Sequence, residues 1–334
     1  MKFRKTGDKR SPVKTALVLS GGGAKGAYQV GVIKELCRQG IKIDLVTGSS
    51  IGAFNGALMA EFINSGLSYE ETACKLEEVW QYVNHFISLN WSGFVSNLFN
   101  PLLIPSVFTN REVKKVLARY INKDRIFSDY TDCQLSVTGT DLTNKELHIF
   151  DFNSDISIIN AVLASMAYPV AYPSIKIKDS YFIDGGFLDN APLKEAILWG
   201  AKKIYVVFLT PLSLIKGEDE GKAKKDNFYS AIKVIDSVID LASIKLMYGD
   251  LKEAEKINRL IRIIDKYEKR LPSAFLTELR DLYGIKPEGE KRIVYINRIA
   301  PDKLLNPPGT IGFNRTKILQ DLIKKGQEKA CECL

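Results

Sequence analysis

Short apolar runs alternate with amphipathic segments along most of this chain. Runs rich in Val, Ile and Leu predict buried strands, whereas apolar residues spaced three and four apart predict helices. Strands that alternate with helices predict an α/β protein whose sheet is at least partly parallel. The predicted strands are Ala16–Leu19, Ile43–Val46, Leu135–Thr140, Glu146–Phe150, Tyr181–Ile183, Lys203–Leu209 and Arg292–Ile299.

Capping signals and helical spacing locate the helices. Ser68 with Glu71, and Thr109 with Glu112, have the spacing of capping boxes at the starts of two helices. Leu214–Lys225 is polar and rich in glycine and lysine, which predicts an exposed loop before two long helices. The predicted helices are Ile51–Asn64, Ser68 to about Val83, Thr109 to about Ile121, Asp155–Ala167, Leu193–Leu198, Phe228–Tyr248, Leu251–Lys269 and Thr316–Cys331.

Two glycine-rich turns follow the first two predicted strands, and each opens a helical pattern. Gly21–Gly26 reads Gly-Gly-Gly-Ala-Lys-Gly, and Gly48–Gly52 reads Gly-Ser-Ser-Ile-Gly. A Gly-x-Ser-x-Gly turn between a strand and a helix can expose a serine hydroxyl on a sharp elbow. The free N–H groups and dipole of the following helix favour negative charge there. Ser50 is therefore the candidate nucleophile, with Gly48 and Gly52 in support.

The first turn has two interpretations. Its glycines also satisfy the Gly-x-Gly-x-x-Gly pattern of a dinucleotide site. The ribose-binding acid of such a site should follow its strand, but Asp44 precedes the apolar residues of the second strand. The alternative is an oxyanion hole, in which backbone N–H groups bind a developing negative charge. The Gly-x-Ser-x-Gly turn on the adjoining strand favours the oxyanion hole.

A serine hydroxyl needs a neighbouring base that takes its proton, and His148 is one candidate. The α/β-hydrolase order places the histidine late, after the acid, yet no histidine follows position 148. His148 lies in the alternating run Glu146–Phe150, which favours a structural position on a strand face.

Asp184 is the alternative base. It ends a predicted strand directly before Gly185 and Gly186, which permit another backbone to approach closely. A solvated aspartate has a pKa of about 4 and is a weak base, but desolvation beside the serine would raise its basicity. Sequence spacing leaves Asp141 and Asp189 as further candidates.

Composition and charge narrow the partners. The 334 residues can form one sizeable domain or two smaller ones. Lys and Arg number 47 against 39 Asp and Glu, and the net charge of +8 suits an anionic partner such as a phospholipid surface. The basic residues are scattered and form no nucleic-acid-binding motif, so we expect no nucleic-acid partner.

The chain lacks the signals of a membrane span or of secretion. No apolar run reaches the length of a span, and the basic N-terminus has no apolar segment before a cleavage site. The five cysteines lack the spacing of a disulfide framework, and two histidines exclude a histidine-rich metal site. We expect a cytoplasmic protein that can associate peripherally with the inner face of a membrane.

Phe86–Phe108 differs from the rest of the chain in composition and in hydrophobic pattern. It is apolar, broken by prolines and without clear periodicity. Such a segment could form a lid or an acyl-chain channel, or it could be a buried irregular connection.

Three motifs together resemble the bacterial patatin-like phospholipases. The family's Gly-Gly-Gly-x-Lys/Arg-Gly matches Gly21–Gly26, its Gly-x-Ser-x-Gly matches Gly48–Gly52, and its Asp-Gly-Gly/Ala matches Asp184–Gly186. The motifs occur in the family's order. The stretch Ala161–Val207, which includes Asn190, is similar to the family as well, and the resemblance covers residues 14–210.

The resemblance implies a three-layer α/β/α sandwich and a Ser-Asp dyad. Ser50 would attack an ester carbonyl, Asp184 would accept its proton, and water would cleave the acyl-enzyme. No metal or other cofactor is implied. Lys25 would attract a substrate phosphate or position its loop. The oxyanion would be bound by backbone N–H groups of Gly21, Gly22, Gly23, Ala24, Lys25 and Gly26.

The expected domain organisation is a disordered basic tail over residues 1–13, a catalytic domain over 14–210, and a helical region over 211–334 that completes or packs on the same domain. The implied function is that of a phospholipase A or lysophospholipase that can associate with anionic membranes. The alternatives are a soluble carboxylesterase or acyltransferase, and a non-catalytic module that binds a nucleotide or phosphate.

Overall fold

A computed structural model describes residues 12–86, 110–169, 172–216, 231–267, 270–282, 294–306 and 316–334. Within these ranges the strands are β1 (Thr15–Leu19), β2 (Leu45–Gly48), β3 (Gln134–Asp141), β4 (Glu146–Phe150), β5 (Ile175–Ile177), β6 (Ser180–Asp184), β7 (Lys203–Val207) and β8 (Tyr295–Ile299). The α-helices are α1 (Gly26–Arg38), α2 (Ile51–Asn64), α3 (Tyr69–Phe86), α4 (Asn110–Tyr120), α5 (Ile158–Ser165), α6 (Leu193–Leu198), α7 (Leu212–Lys216), α8 (Ala231–Tyr267), α9 (Ser273–Leu282) and α10 (Thr316–Cys333).

The strands form one mixed sheet. Five of them run parallel in the order β3-β2-β1-β7-β8. β4 and β6 pair antiparallel with β3, and β5 pairs antiparallel with β6. The carboxyl ends of the parallel strands lie at one edge of the sheet, where α/β proteins bind their ligands.

The pairing along the two edges of β3 explains how β6 comes close to the carboxyl ends of the parallel strands. Val137 of β3 pairs with β2 on one edge and with β4 on the other. Two residues further on, Gly139 pairs with β4 and with Asp184 of β6. β2 and β6 therefore follow one another along the same edge of β3. This arrangement brings Asp184 to the carboxyl end of β2.

Helices cover both faces of the sheet. Side chains alternate along a strand, so neighbouring residues of β1 enter opposite layers. Leu17 and Leu19 join a core with α1, α2, α3, α4, α5 and α10. Ala16 and Val18 join a second core with α6 and α8. The three-layer α/β/α sandwich predicted from the sequence is confirmed.

Several predicted elements have the expected position, and some differ in length. α2 has the predicted bounds, and β3 and β4, both predicted as strands, pair antiparallel. The helix predicted over Asp155–Ala167 is shorter, because Ser157 caps α5 by accepting the N–H of Asn160. Ser68 and Glu71 form the predicted capping box, with bonds of 3.2 and 2.8 Å.

The C-terminal region departs most from the predictions. α8 is one helix of 37 residues, whereas the sequence predicted two helices separated at Gly249 and Asp250. Met247, Leu251 and Ala254 pack into the second core on either side of this point, so tertiary packing offsets the low helix propensity of glycine. α7 occupies part of the predicted loop, and α9 and β5 were not predicted.

Some predictions fall outside the described residues. The lid or channel predicted over Phe86–Phe108 lies there except for its first residue, and so do residues 217–225 of the predicted loop. Of the predicted tail, residues 1–11 lie outside as well. Val13, the last residue of the predicted tail, is buried in the second core. Among the described helices, none is both long and apolar enough to cross a membrane.

Helices α1 and α10 pack with their backbones in close contact. A Cβ on Gly326 of α10 would lie 2.0 Å from the carbonyl oxygen of Tyr28, and a Cβ on Gly31 of α1 would lie 1.9 Å from that of Ile323. β8 extends the sheet beside β7. Residues after position 210 therefore contribute to both the sheet and the first core.

The close contact between the backbones of α1 and α10 leads to a prediction about stability. We expect Gly326→Ala to lower the free energy of unfolding by about 1–3 kcal/mol, the usual cost of overpacking. Gly249→Ala is the matched control, because its Cβ would meet open space on α8, and alanine should stabilise the helix by about 1 kcal/mol. Denaturant unfolding measures both variants. A Gly326→Ala variant as stable as Gly249→Ala would contradict the close helix contact.

Candidate active site

Ser50 lies on the sharp turn between β2 and α2. Its backbone has φ 53° and ψ −123°, a strained conformation for a residue with a side chain. Gly52 permits the turn, since a Cβ there would lie 2.1 Å from the carbonyl oxygen of Leu19 on β1. Ser50 is also the N-cap of α2, so the positive end of the helix dipole lies at this residue. This is the backbone geometry of a nucleophile elbow.

Asp184 meets Ser50 from the end of β6. The Ser50 hydroxyl donates a hydrogen bond of 2.5 Å to Oδ2 of Asp184. The other carboxylate oxygen, Oδ1, accepts the N–H of Gly186 at 2.8 Å. The sheet thus brings together two predicted site residues that are 134 positions apart in the sequence.

The environment of Asp184 changes its basicity. Its side chain is only 2% exposed, and burial raises the pKa of this carboxyl to about 7. The hydrogen bonds from Ser50 and Gly186 favour the carboxylate, but desolvation is the larger effect. A carboxyl with this pKa is a far better proton acceptor than a solvated aspartate.

His148 occupies a different place. His148 and Asp184 pair with Gly139 from opposite edges of β3, so their backbones are roughly 10 Å apart, two strand spacings. The imidazole packs against Phe150 and Phe182, with ring centroids 4.5 and 5.4 Å away. Desolvation lowers the pKa of His148. These contacts match the structural position on a strand face that the sequence favours.

The other two acids that the sequence left open are also separate from Ser50. Asp141 accepts the N–H groups of Thr143 and Asn144 and so closes the turn after β3. Asp189 is buried, which raises the pKa of its carboxyl to about 7, and its Oδ1 has no hydrogen-bond partner in the described ranges. Among the described residues, the Ser50 hydroxyl donates to Asp184 alone.

The glycine loop between β1 and α1 runs beside Ser50. A Cβ on Gly21 would lie 3.0 Å from Cβ of Ser50. The N–H groups of the loop fall into two sets. Three of them donate inside the protein, and these belong to Gly21, Lys25 and Gly26. In the part of the chain that the structure describes, no acceptor binds the N–H groups of Gly22, Gly23 and Ala24. Within that part of the chain, three of the six predicted oxyanion donors therefore keep an N–H group without an acceptor.

Two charged residues, Lys25 and Asp44, bear on how the glycine loop is interpreted. The Lys25 side chain is buried at 7% exposure, and its two predicted roles, phosphate attraction and loop positioning, stay predictions. Asp44 accepts the N–H groups of Lys14 and Thr15, each at 3.0 Å, at the amino end of β1. The glycine loop follows the opposite end of that strand. Asp44 is therefore not placed to bind the ribose of a dinucleotide there.

Two residues at the site had no predicted role. Ser165, at the end of α5, accepts the N–H of Ser50 at 2.9 Å and so holds the elbow. Asn190 accepts the N–H of Gly21 through its side chain at 3.1 Å. Both residues belong to the stretch Ala161–Val207 that resembles the family, but only Asn190 was singled out within it.

The chain belongs to the patatin-like phospholipase family, whose family model matches residues 17–197. This range contains all three motifs. Patatin-like phospholipase domain-containing protein 7 of Mus musculus is 31% identical over 199 residues, which are 58% of this chain and 13% of the mouse protein. Lysophospholipase NTE1 of Lodderomyces elongisporus is 31% identical over 194 residues, which are 57% of this chain and 12% of that protein. The chain thus spans only a small part of these curated relatives.

Among solved structures, VipD from Legionella pneumophila is one that this chain matches. The alignment covers 97% of this chain and 67% of VipD, with a TM-score of 0.43 and 15% sequence identity.

Proposed function

We propose that the protein hydrolyses carboxylic ester bonds of phospholipids or lysophospholipids through a dyad of Ser50 and Asp184. The observation that carries this proposal is the 2.5 Å hydrogen bond from the Ser50 hydroxyl to the buried Asp184 carboxyl. Membership of the patatin-like phospholipase family supports a lipid ester as the substrate class. The relative named a lysophospholipase supports the same class.

The proposed reaction begins when Oγ of Ser50 attacks the ester carbonyl carbon and Asp184 accepts the hydroxyl proton. The carbonyl electron pair moves to oxygen, and the resulting oxyanion accepts hydrogen bonds from the N–H groups of Gly22, Gly23 and Ala24. The tetrahedral intermediate collapses to an acyl-enzyme, and the departing alcohol takes the proton from Asp184. Water then attacks the acyl-enzyme while Asp184 accepts its proton. The fatty acid leaves as Ser50 is protonated again.

The charges of the site suit this sequence of steps. Each oxyanion donor of this kind is worth on the order of 10²–10³ in rate where it has been removed in other enzymes. The positive end of the α2 dipole adds to the stabilisation of negative charge near Ser50. Asp184 needs no histidine between itself and the serine, because the two side chains are in direct hydrogen-bond contact.

The experiment is a lipid panel assayed with the wild type and Ser50→Ala side by side. Phospholipids, lysophospholipids and short soluble esters are offered, and mass spectrometry identifies the released fatty acids. The proposal predicts release from lipids with long acyl chains by the wild type alone. Preference for short soluble esters would favour the carboxylesterase alternative, and release by neither protein would favour a non-catalytic module.

The net charge of +8 also motivates association with anionic membranes. Vesicle sedimentation at low salt measures this directly. The proposal predicts more bound protein on anionic than on neutral vesicles, and less as salt screens the attraction. Equal binding to both vesicle types would contradict it.

The pKa of Asp184 sets a pH dependence. The carboxylate accepts the serine proton, whereas the protonated acid cannot, so activity should fall as the pH drops below the pKa of about 7. We therefore expect kcat/KM to rise through this pH and to level off above it. A pH–rate profile on a short soluble ester measures the inflection. The range from roughly pH 5 to pH 9 brackets this pKa, and a profile that is flat across it would contradict a general base of this kind.

A further inference from the structure

The peptide group between Ser20 and Gly21 is the first of the glycine loop, and hydrogen bonds hold it from both sides. On one side, Nε2 of Gln29 donates to the carbonyl oxygen of Ser20 at 2.6 Å. On the other side, the N–H of Gly21 donates to Asn190, to its backbone oxygen at 3.0 Å and to its Oδ1 at 3.1 Å. A reversal of this peptide would break all three bonds.

Gln29 is itself fixed by a buried chain of hydrogen bonds. Nε1 of Trp80 donates to Oδ1 of Asn55 at 2.8 Å. Nδ2 of Asn55 donates to Oε1 of Gln29 at 2.9 Å and to the carbonyl oxygen of Gly26 at 3.0 Å. Gln29 and Asn55 are fully buried, at 0% exposure. The chain therefore reaches both ends of the glycine loop, at Ser20 and at Gly26.

The direction of this chain follows from the chemistry of its members. An indole N–H can only donate, so Oδ1 of Asn55 must face Trp80 and its amide nitrogen must face Gln29. The oxygen of the Gln29 amide accepts that bond, which leaves the nitrogen to face Ser20. Three side chains from α1, α2 and α3 thus fix one orientation of the Ser20 carbonyl.

Asn190 has little freedom to move. A Cβ on Gly21 would lie 2.4 Å from Oδ1 of Asn190, and a Cβ on Gly186 would lie 2.7 Å from the same atom. The carboxamide therefore fits between the glycine loop and the turn that carries Asp184. Its position links the oxyanion loop to the base.

We propose that Gln29 and Asn190 act as positioning residues, a peptide clamp that holds the Ser20–Gly21 peptide in one orientation. The clamp presents the next three N–H groups, those of Gly22, Gly23 and Ala24, ready for the oxyanion. Donors that are already oriented need no reorganisation when charge develops. This inference rests on the proposed esterase function for its catalytic effect, but not for its effect on the loop.

Three variants distinguish a specific effect on the Ser20–Gly21 peptide from a general loss of core stability. Gln29→Met removes the bond to the Ser20 carbonyl, and Asn190→Ala removes the side-chain acceptor of the Gly21 N–H. The matched control is Tyr130→Phe, which deletes a hydrogen bond of 2.7 Å from a fully buried hydroxyl to Glu61. All three variants lose a hydrogen bond, which is buried for Gln29 and Tyr130 and partly buried for Asn190. Only Gln29 and Asn190 touch the glycine loop.

Hydrogen exchange followed by mass spectrometry tests the clamp without any substrate. A peptide that spans Ser20–Gly26 should exchange roughly tenfold faster in Gln29→Met and Asn190→Ala than in the wild type, because the held peptide opens more often. The same peptide in Tyr130→Phe should exchange as in the wild type. Equal exchange of this peptide in the wild type and all three variants would overturn the clamp, regardless of whether the protein hydrolyses esters.

Steady-state kinetics test its catalytic effect. Misplaced donors should lower kcat by about 10² in each clamp variant and leave KM within about twofold. Gln29→Met and Asn190→Ala act on one peptide, so their double variant should lose much less than the product of the single losses. Independent losses that multiply, or losses no larger than that of Tyr130→Phe, would overturn it. A wild type that hydrolyses no ester would reject the proposed function instead, and the exchange data alone would then decide on the clamp.

Discussion

Replacement of Ser50 by alanine is expected to lower kcat by on the order of 10⁵–10⁶, because the variant lacks the oxygen that forms the acyl-enzyme. The backbone should be little affected, since serine and alanine carry a Cβ at the same strained φ of 53°. Ser49→Ala is the matched control. Ser49 is the neighbouring residue of the same turn, and its buried hydroxyl has no hydrogen-bond partner among the residues that the structure describes.

Rates of fatty-acid release from one lipid measure both variants after circular dichroism shows that they are folded. Ser49→Ala should stay within about twofold of the wild type, as expected when a hydroxyl without partners is removed. A Ser50→Ala variant that retains a tenth of the activity would contradict nucleophilic catalysis by this residue.

Asp184→Asn should lower kcat by about 10²–10⁴, the usual contribution of a general base. The amide keeps an oxygen that can accept the Gly186 N–H, but it cannot take the proton from Ser50. Its rate should also lose the pH dependence around 7 that the buried carboxyl gives the wild type. His148→Ala should retain activity within roughly tenfold, because His148 packs between aromatic rings away from Ser50.

Parallel pH–rate profiles of both variants test this assignment, with thermal unfolding as the check on folding. The comparison matters because a histidine triad would reverse the two outcomes. A folded His148→Ala variant without activity, together with an active Asp184→Asn variant, would refute the dyad.

Local patterns predict much of this fold because they coincide with its tertiary contacts. α2 has its predicted bounds, since its residues from Ile51 to Phe62 are buried and Gly66, in a left-handed conformation, follows its end. α8 was predicted as two helices because Gly249 weakens the local helical signal. The sheet beneath that helix is built from distant parts of the chain, so its stabilising effect is absent from the local pattern.

The candidate site likewise contains residues that local sequence motifs predict and residues that only tertiary contacts define. Ser50 and the glycine loop are carried by contiguous motifs, and Asp184 ends a strand before two glycines. Asn190 and Gln29 acquire their proposed roles only through contacts with the peptide at Ser20–Gly21. The N–H of Gly21 is occupied by Asn190, 169 positions away, whereas those of Lys25 and Gly26 donate within the loop itself. Such pairings follow from the order of strands in the sheet, which a single sequence does not specify.

Labelling with a fluorophosphonate, mapped by peptide mass spectrometry, tests the Ser50–Asp184 dyad most directly, because it needs no knowledge of the natural lipid. The dyad predicts one adduct on Ser50 of the wild type, no adduct on Ser50→Ala, and labelling of Asp184→Asn that is slower by on the order of 10² or more. An adduct on another serine, or no adduct on the folded wild type, would contradict it.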